Sequence, residues 1–149
     1  MNIDITAFKP HDEVALGTLL QMVDLSTEDI TPETLEHFLV AHLGKALVGC
    51  VGLEVLEEVG LLRSVAVDDA HRGLGLGKEL VAAMEEHAKD AGVRELYLLT
   101  TTAEGFFAGL GYRKLAREQA PSAIAGTAQF SALCPSSSSF MVKTISAEW

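Results

Sequence analysis

One stretch constrains this chain more than any other: Val65-Ala-Val-Asp-Asp-Ala-His-Arg-Gly-Leu-Gly-Leu-Gly-Lys78. An apolar strand runs into a short acidic loop, and three alternating glycines then open a helix. The first turn of a helix carries unsatisfied N–H groups and the positive end of the helix dipole, so it attracts an anion. Gly73, Gly75 and Gly77 remove side chains and let the backbone approach a diphosphate. Arg72 and Lys78 add local positive charge. The stretch is not a P-loop, because Glu79 follows Lys78 and Arg72 occupies the first glycine position. It is not the dinucleotide fingerprint, because after Gly73 and Gly75 the third glycine comes one residue early, at Gly77. The bland alternative is a helix end packed tightly on a sheet.

The rest of the chain must supply a sheet and helices around this loop. Ile3 to Phe8 alternates as a strand, and Pro10 starts a helical stretch with Val14, Leu16, Leu19, Leu20 and Val23 on one broad face. Thr31-Pro32-Glu33 opens a second helix, and Val40 to His42 reads equally as its end or as an edge strand. Ala46 to Leu56 and Val59 to Val67 are strands joined by Glu57-Glu58. Gly73 to Asp90 reads as a helix stopped by Gly92, Glu95 to Thr100 as a strand, and Ala103 to Leu110 as a short helix closed by Gly111. Tyr112 starts another strand, Pro121 to Thr127 is a loop or short helix, and Phe140 to Ile145 closes the sheet. The chain of 149 residues suits a single mixed α/β domain spanning 1–149.

Charge bounds the partners. Eleven Lys and Arg stand against 21 Asp and Glu, a formal charge of −10. Such a surface repels phosphate backbones, so neither nucleic acid nor an anionic membrane is an expected partner. No leader-like basic and apolar start precedes the first strand, and no apolar run is long enough to span a bilayer, so the expectation is a cytoplasmic protein. Cys50 and Cys134 form no CxxC pair, and Cys50 reads as a buried strand residue. His11, His37, His42 and His87 lack metal-ligand spacing, so no metal is expected. The serine run from Ser136 to Ser139 reads as a solvated loop, and Trp149 as a terminal residue.

Arg72-Gly73-Leu74-Gly75-Leu76-Gly77 resembles motif A of the GNAT acetyltransferase superfamily, R/Q-x-x-G-x-G/A, in that family's context of strand and long helix. Ala103-Glu-Gly-Phe-Phe-Ala-Gly-Leu-Gly-Tyr112 is similar to the family's "A…FYxxLGF" segment. The resemblance implies a GNAT fold: a mixed, mostly antiparallel sheet with a splayed strand pair and helices on both faces. It implies acetyl-CoA as cosubstrate and a small-molecule amine as acceptor, and relatives of this kind are often homodimers. The backbone of Val65 and Val67 would bond the pantetheine arm, with the Val65 N–H polarising the thioester carbonyl. Arg72, Gly73, Leu74, Gly75, Leu76, Gly77 and Lys78 would hold the pyrophosphate, and Thr100 would form part of the other lip. Phe107 stands where the family carries a tyrosine acid; its ring cannot donate a proton and counts here as a cofactor contact. A thiol with a pKa of about 8.5 leaves as thiolate more readily than an alcohol does, so the reaction survives without that acid.

Two charges stand out in the apolar strands. Glu54 either faces solvent or serves as base for the amine. Arg63 shares a strand face with Val65 and Val67 by period two, which would let it grip an acidic substrate group; a structural ion pair with Glu54 is the alternative. Gly52-Leu-Glu54, Leu61-Leu-Arg-Ser64, Leu96 to Thr102, Ala120-Pro121 and Cys134-Pro135 look like a bacterial GNAT branch associated with arsenic resistance. That narrower likeness implies an acceptor of the phosphinothricin or arsinothricin type. A protein or peptide N-acetyltransferase and a non-catalytic CoA-binding sensor are the competing functions.

Overall fold

The computed structural model describes residues 3–23, 25, 30–73, 75–127, 130 and 138–145. Leu74, Cys134, Ser136, Ser137 and Trp149 lie outside them. Strands β1 (Ile3–Ala7), β2 (Leu39–Leu43), β3 (Ala46–Leu56), β4 (Val59–Val67), β5 (Glu95–Thr100), β6 (Arg113–Lys114) and β7 (Ser139–Thr144) are hydrogen-bonded in the order β1-β2-β3-β4-β5-β7-β6. The β1/β2, β2/β3, β5/β7 and β6/β7 pairings are antiparallel, and β4 pairs with β5 in parallel through Val59–Leu61 and Glu95–Tyr97. Helices α1 (Glu13–Met22), α2 (Pro32–Leu35), α3 (Leu76–Asp90), α4 (Glu104–Gly109) and α5 (Ser122–Ala125) complete the α/β fold. Among the described residues no helix is long and apolar enough to cross a membrane.

The chain divides into two compact units. The first comprises Met1–Glu54 and Arg63–His87. One buried cluster in it joins Leu16, Leu19 and Leu20 of α1 to Phe38, Val40, Cys50 and Ala66, whereas Val14, expected on the same helix face, is 83% exposed. On β3, successive side chains alternate between faces. Cys50 and Gly52 look toward Phe38, whereas a methyl group on Gly49 would stand 2.9 Å from Leu80 and 3.3 Å from Leu76, both on α3. Helices therefore cover both faces of this part of the sheet. Residues 40–42, ambiguous in sequence, extend as β2, where Val40 pairs with Cys50.

Gly52 is small because Phe38 leaves it no room. A Cβ there would lie 2.5 Å from Phe38 Cζ, and Phe38 is fully buried. Gly52→Ala should destabilise the fold by about 1–3 kcal/mol, the usual range for overpacking. Gly17→Ala is the control: it lies in α1 with nothing within 4 Å of the added carbon, so it should stabilise by about 0.5–1 kcal/mol. Thermal melts of the two variants should move in opposite directions; a Gly52→Ala melt at or above wild type refutes the packing argument.

The second unit comprises Val55–Leu62 and Ala88–Trp149. Leu61, Tyr97, Ile124, Phe140 and Val142 form its cluster, with the Tyr97 and Phe140 rings stacked. The Arg94 N–H donates to the Glu58 carbonyl, and the Ile145 N–H donates to the Arg94 carbonyl, fastening both ends of this region. Pro121–Thr127 contains the one-turn helix α5, not an open loop.

Candidate active site

The glycine loop has a specific backbone. Gly73 and Gly75 take φ values of 81° and 82°, left-handed conformations that side chains disfavour. Both are exposed, and nothing lies within 4 Å of where a Cβ would stand. Their role is therefore conformational and not the avoidance of a neighbour. These left-handed residues also correct the expected start of the helix: α3 begins at Leu76, not Gly73, because helical φ is negative. The Glu79 N–H donates to the Gly75 carbonyl, which closes the first turn on the loop. Leu76 is buried and offers the loop only its backbone, Gly77 is half-buried, and Lys78 is exposed in the first turn.

The loop is braced from the strand side. Asp68 accepts the Ala70 N–H on its carboxylate, and the Asp68 N–H donates to the Val48 carbonyl at 2.8 Å. Arg72 is folded back: its Nε lies 3.2 Å from Asp69 Oδ1 and 3.4 Å from the Val67 carbonyl oxygen. Its exposed guanidinium thus stays beside the loop. His71 Nδ1 lies 3.9 Å from Asp68 Oδ1, in keeping with a loop position.

Strand β4 departs from the expected alternation. Counted from the two-residue turn at Glu57-Glu58, Val48 would face Val67, yet its carbonyl accepts from Asp68. One extra residue is accommodated in β4, and Ser64, with φ of 54°, marks it. Arg63 reaches Glu54, which lies on the Cys50 and Gly52 side of β3, and Ala66 packs with Cys50 and Phe38 on that same side. Arg63 and Ala66 therefore share a face although they are three positions apart, an odd number that regular alternation would send to opposite faces. Val65, beside Ala66, points the other way. The expectation that Arg63 and Val65 share a face is corrected: the left-handed residue between them reverses the alternation.

The Glu54–Arg63 alternative is the one the structure forms. Arg63 Nη1 lies 3.7 Å from Glu54 Oε1, with the Arg63 side chain 1% exposed and that of Glu54 19%. Glu54 is the more exposed side chain of the pair, although its Oε2 is buried. Arg63 Nε donates to Ser64 Oγ at 3.1 Å, and the Cys50 thiol donates to the Ser64 carbonyl at 3.1 Å. Burial pushes the Cys50 pKa up from 9.0 to about 12, against smaller opposing effects of a backbone hydrogen bond and of Arg63. Cys50 is thus a protonated donor at neutral pH and not a nucleophile.

Thr100 and Phe107 lie in the second unit. Thr100 ends β5 and its Oγ1 accepts the Ala103 N–H ahead of α4. Phe107 is buried, edge-on to both Phe106 and Tyr112. Tyr112 is core, 3% exposed. Among the described residues no cluster of three or more His, Cys, Asp or Glu is arranged for a metal ion. Two buried or half-buried polar pairs had no sequence signal: Asp12 with His42 at 3.0 Å, and His37 with His87 at 3.1 Å. Ser64 also escaped sequence reasoning, because a serine within an apolar strand carries no mark of left-handed backbone.

The family model described as the acetyltransferase (GNAT) family matches residues 9–112. An uncharacterised N-acetyltransferase of Chlorobaculum tepidum is 32% identical over 69% of this chain and 66% of its own length. An amino-acid acetyltransferase of Mycobacterium tuberculosis is 33% identical over 75% of this chain and 64% of its own. The chain thus spans slightly less than two thirds of either relative. The N-acetylglutamate synthase of Neisseria gonorrhoeae, solved with coenzyme A and N-acetyl-glutamate, superposes with a TM-score of 0.86 at 17% identity, over 99% of this chain and 36% of that one.

Proposed function

The chain belongs to the acetyltransferase (GNAT) family, and from that premise we propose that it transfers the acetyl group of acetyl-CoA to the amino group of a small amino acid. The observation that carries this reading is the loop of Gly73 and Gly75, left-handed, exposed and open, ahead of the first turn of α3. Such a loop suits a diphosphate: Gly73 and Gly75 keep side chains away from the backbone, and Arg72 and Lys78 add positive charge on either side. The names of the amino-acid acetyltransferase and N-acetylglutamate synthase likenesses support an amino acid as acceptor.

In this reading the loop anchors the nucleotide end of acetyl-CoA and the backbone of Val65 and Val67 holds its pantetheine arm. The Val65 N–H polarises the thioester carbonyl as negative charge develops on oxygen. Glu54 faces the acceptor and takes one proton from its ammonium, which frees the nitrogen lone pair; the neutral amine attacks the carbonyl carbon, and the second N–H proton passes to solvent water as the amide forms. Arg63 orients Glu54; its engaged guanidinium suits that role better than a bidentate grip on substrate. The C–N bond forms, the C–S bond breaks, and coenzyme A leaves as thiolate, with Phe107 supplying no proton. The finer reading is an acceptor of the phosphinothricin or arsinothricin type, which rests on the sequence resemblance alone.

A thiol-release assay tests the proposal. Acetyl-CoA is offered with amino acids, phosphinothricin-like compounds, polyamines and peptides in parallel. Release of coenzyme A with an amino acid, and acetylation of its amino group by mass spectrometry, is the expected result. Release with peptides alone replaces the acceptor class. Binding of acetyl-CoA without turnover across the whole panel favours a sensor.

A further inference from the structure

We infer that Ser64 is a positioning residue that sets Arg63, and through it Glu54. The inference rests on the role proposed above for Glu54. In a regular strand the side chains of neighbouring residues point to opposite faces, so a hydrogen bond between residues 63 and 64 cannot form. Here Arg63 Nε donates to Ser64 Oγ at 3.1 Å. The bond exists because Ser64 takes φ of 54°, which turns its side chain toward that of its neighbour. The register change in β4 therefore does two things: it sends Arg63 and Val65 to opposite faces, and it brings a hydroxyl to the inner edge of the guanidinium.

That hydroxyl constrains the direction of the fork. With Nε committed to Ser64, the planar guanidinium presents Nη1 to Glu54 Oε1 at 3.7 Å. The other half of Ser64 is also fastened, since its carbonyl accepts the Cys50 thiol from β3 at 3.1 Å. Burial keeps that thiol protonated, so the donor persists across the physiological range. A connected set thus runs from Cys50 through Ser64 and Arg63 to Glu54, the more exposed member of the ion pair.

Two variants test the inference on the full chain. Ser64→Gly accepts the left-handed backbone and removes Oγ; Ser64→Asn tolerates that backbone and returns a side-chain oxygen. Proton exchange of Arg63 Nε–H, read by nitrogen-15 NMR, reports the bond directly, and steady-state kinetics report its consequence. In Ser64→Gly, Nε–H exchange should accelerate at least tenfold and kcat/KM for the acceptor should fall about tenfold, with acetyl-CoA affinity unchanged, and Ser64→Asn should recover part of both losses. An Nε–H in Ser64→Gly that exchanges as slowly as in wild type overturns the inference. Fast exchange with unaltered acceptor kinetics overturns it too, because the bond then has no consequence at Glu54; acceptor kcat/KM of Glu54→Gln tests the role of Glu54 by itself, which separates the two failures.

Discussion

Gly75→Asp is expected to weaken acetyl-CoA binding by about 2–4 kcal/mol, roughly 30- to 1,000-fold, while the protein stays folded. Two causes add. Position 75 has φ of 82°, a conformation that costs a residue with a Cβ about 1–2 kcal/mol. The aspartate then sets a negative charge among N–H groups proposed to face a diphosphate. The fold should tolerate the change because Gly75 is exposed and nothing lies within 4 Å of the added carbon. Gly75→Ala separates the causes: it carries the strain without the charge, and should lose about 1 kcal/mol of affinity. Calorimetric titration with acetyl-CoA, beside a thermal melt, decides the matter. A folded Gly75→Asp protein that binds like wild type would remove the loop from the cofactor site.

Glu54→Gln should cost about 10²–10³-fold in kcat/KM for the acceptor and leave acetyl-CoA affinity within twofold, because the amide keeps the shape of the carboxylate but cannot take a proton. A modest loss of stability should accompany it, since a guanidinium only 1% exposed loses a charged partner. The split between acceptor and cosubstrate is the informative reading. If both parameters fall together, the pair is scaffolding for the sheet and not part of the acceptor site. If neither moves, the proton leaves by another route, such as a water chain.

Most of the architecture is legible along the chain because its causes are local. Periodicity marks the apolar faces of α1 and α3, Gly92 and Gly111 stop helices with φ values of 88° and 98°, and Thr31 caps α2 by accepting the Thr34 N–H. The residues of β2 were ambiguous because five positions are too few for either period to win, and pairing with β1 and β3 decided them. The loop was legible in composition, though not in extent. Three glycines predict an open backbone, but their signs of φ move the helix start from 73 to 76.

What the order of residues determined by itself is the glycine-rich loop, the elements on either side of it and the presence of two charges in apolar strands, since glycine content and hydrophobic period act over a few residues. What tertiary structure alone decided is that the two charges pair and that the strand turns over just past them. One left-handed serine inverts the pleat beyond it, which puts Ala66 on the face of Arg63 and turns Val65 to the opposite one. That inversion comes from how β3 and β4 register with each other, a relation between strands that no local pattern within either one encodes.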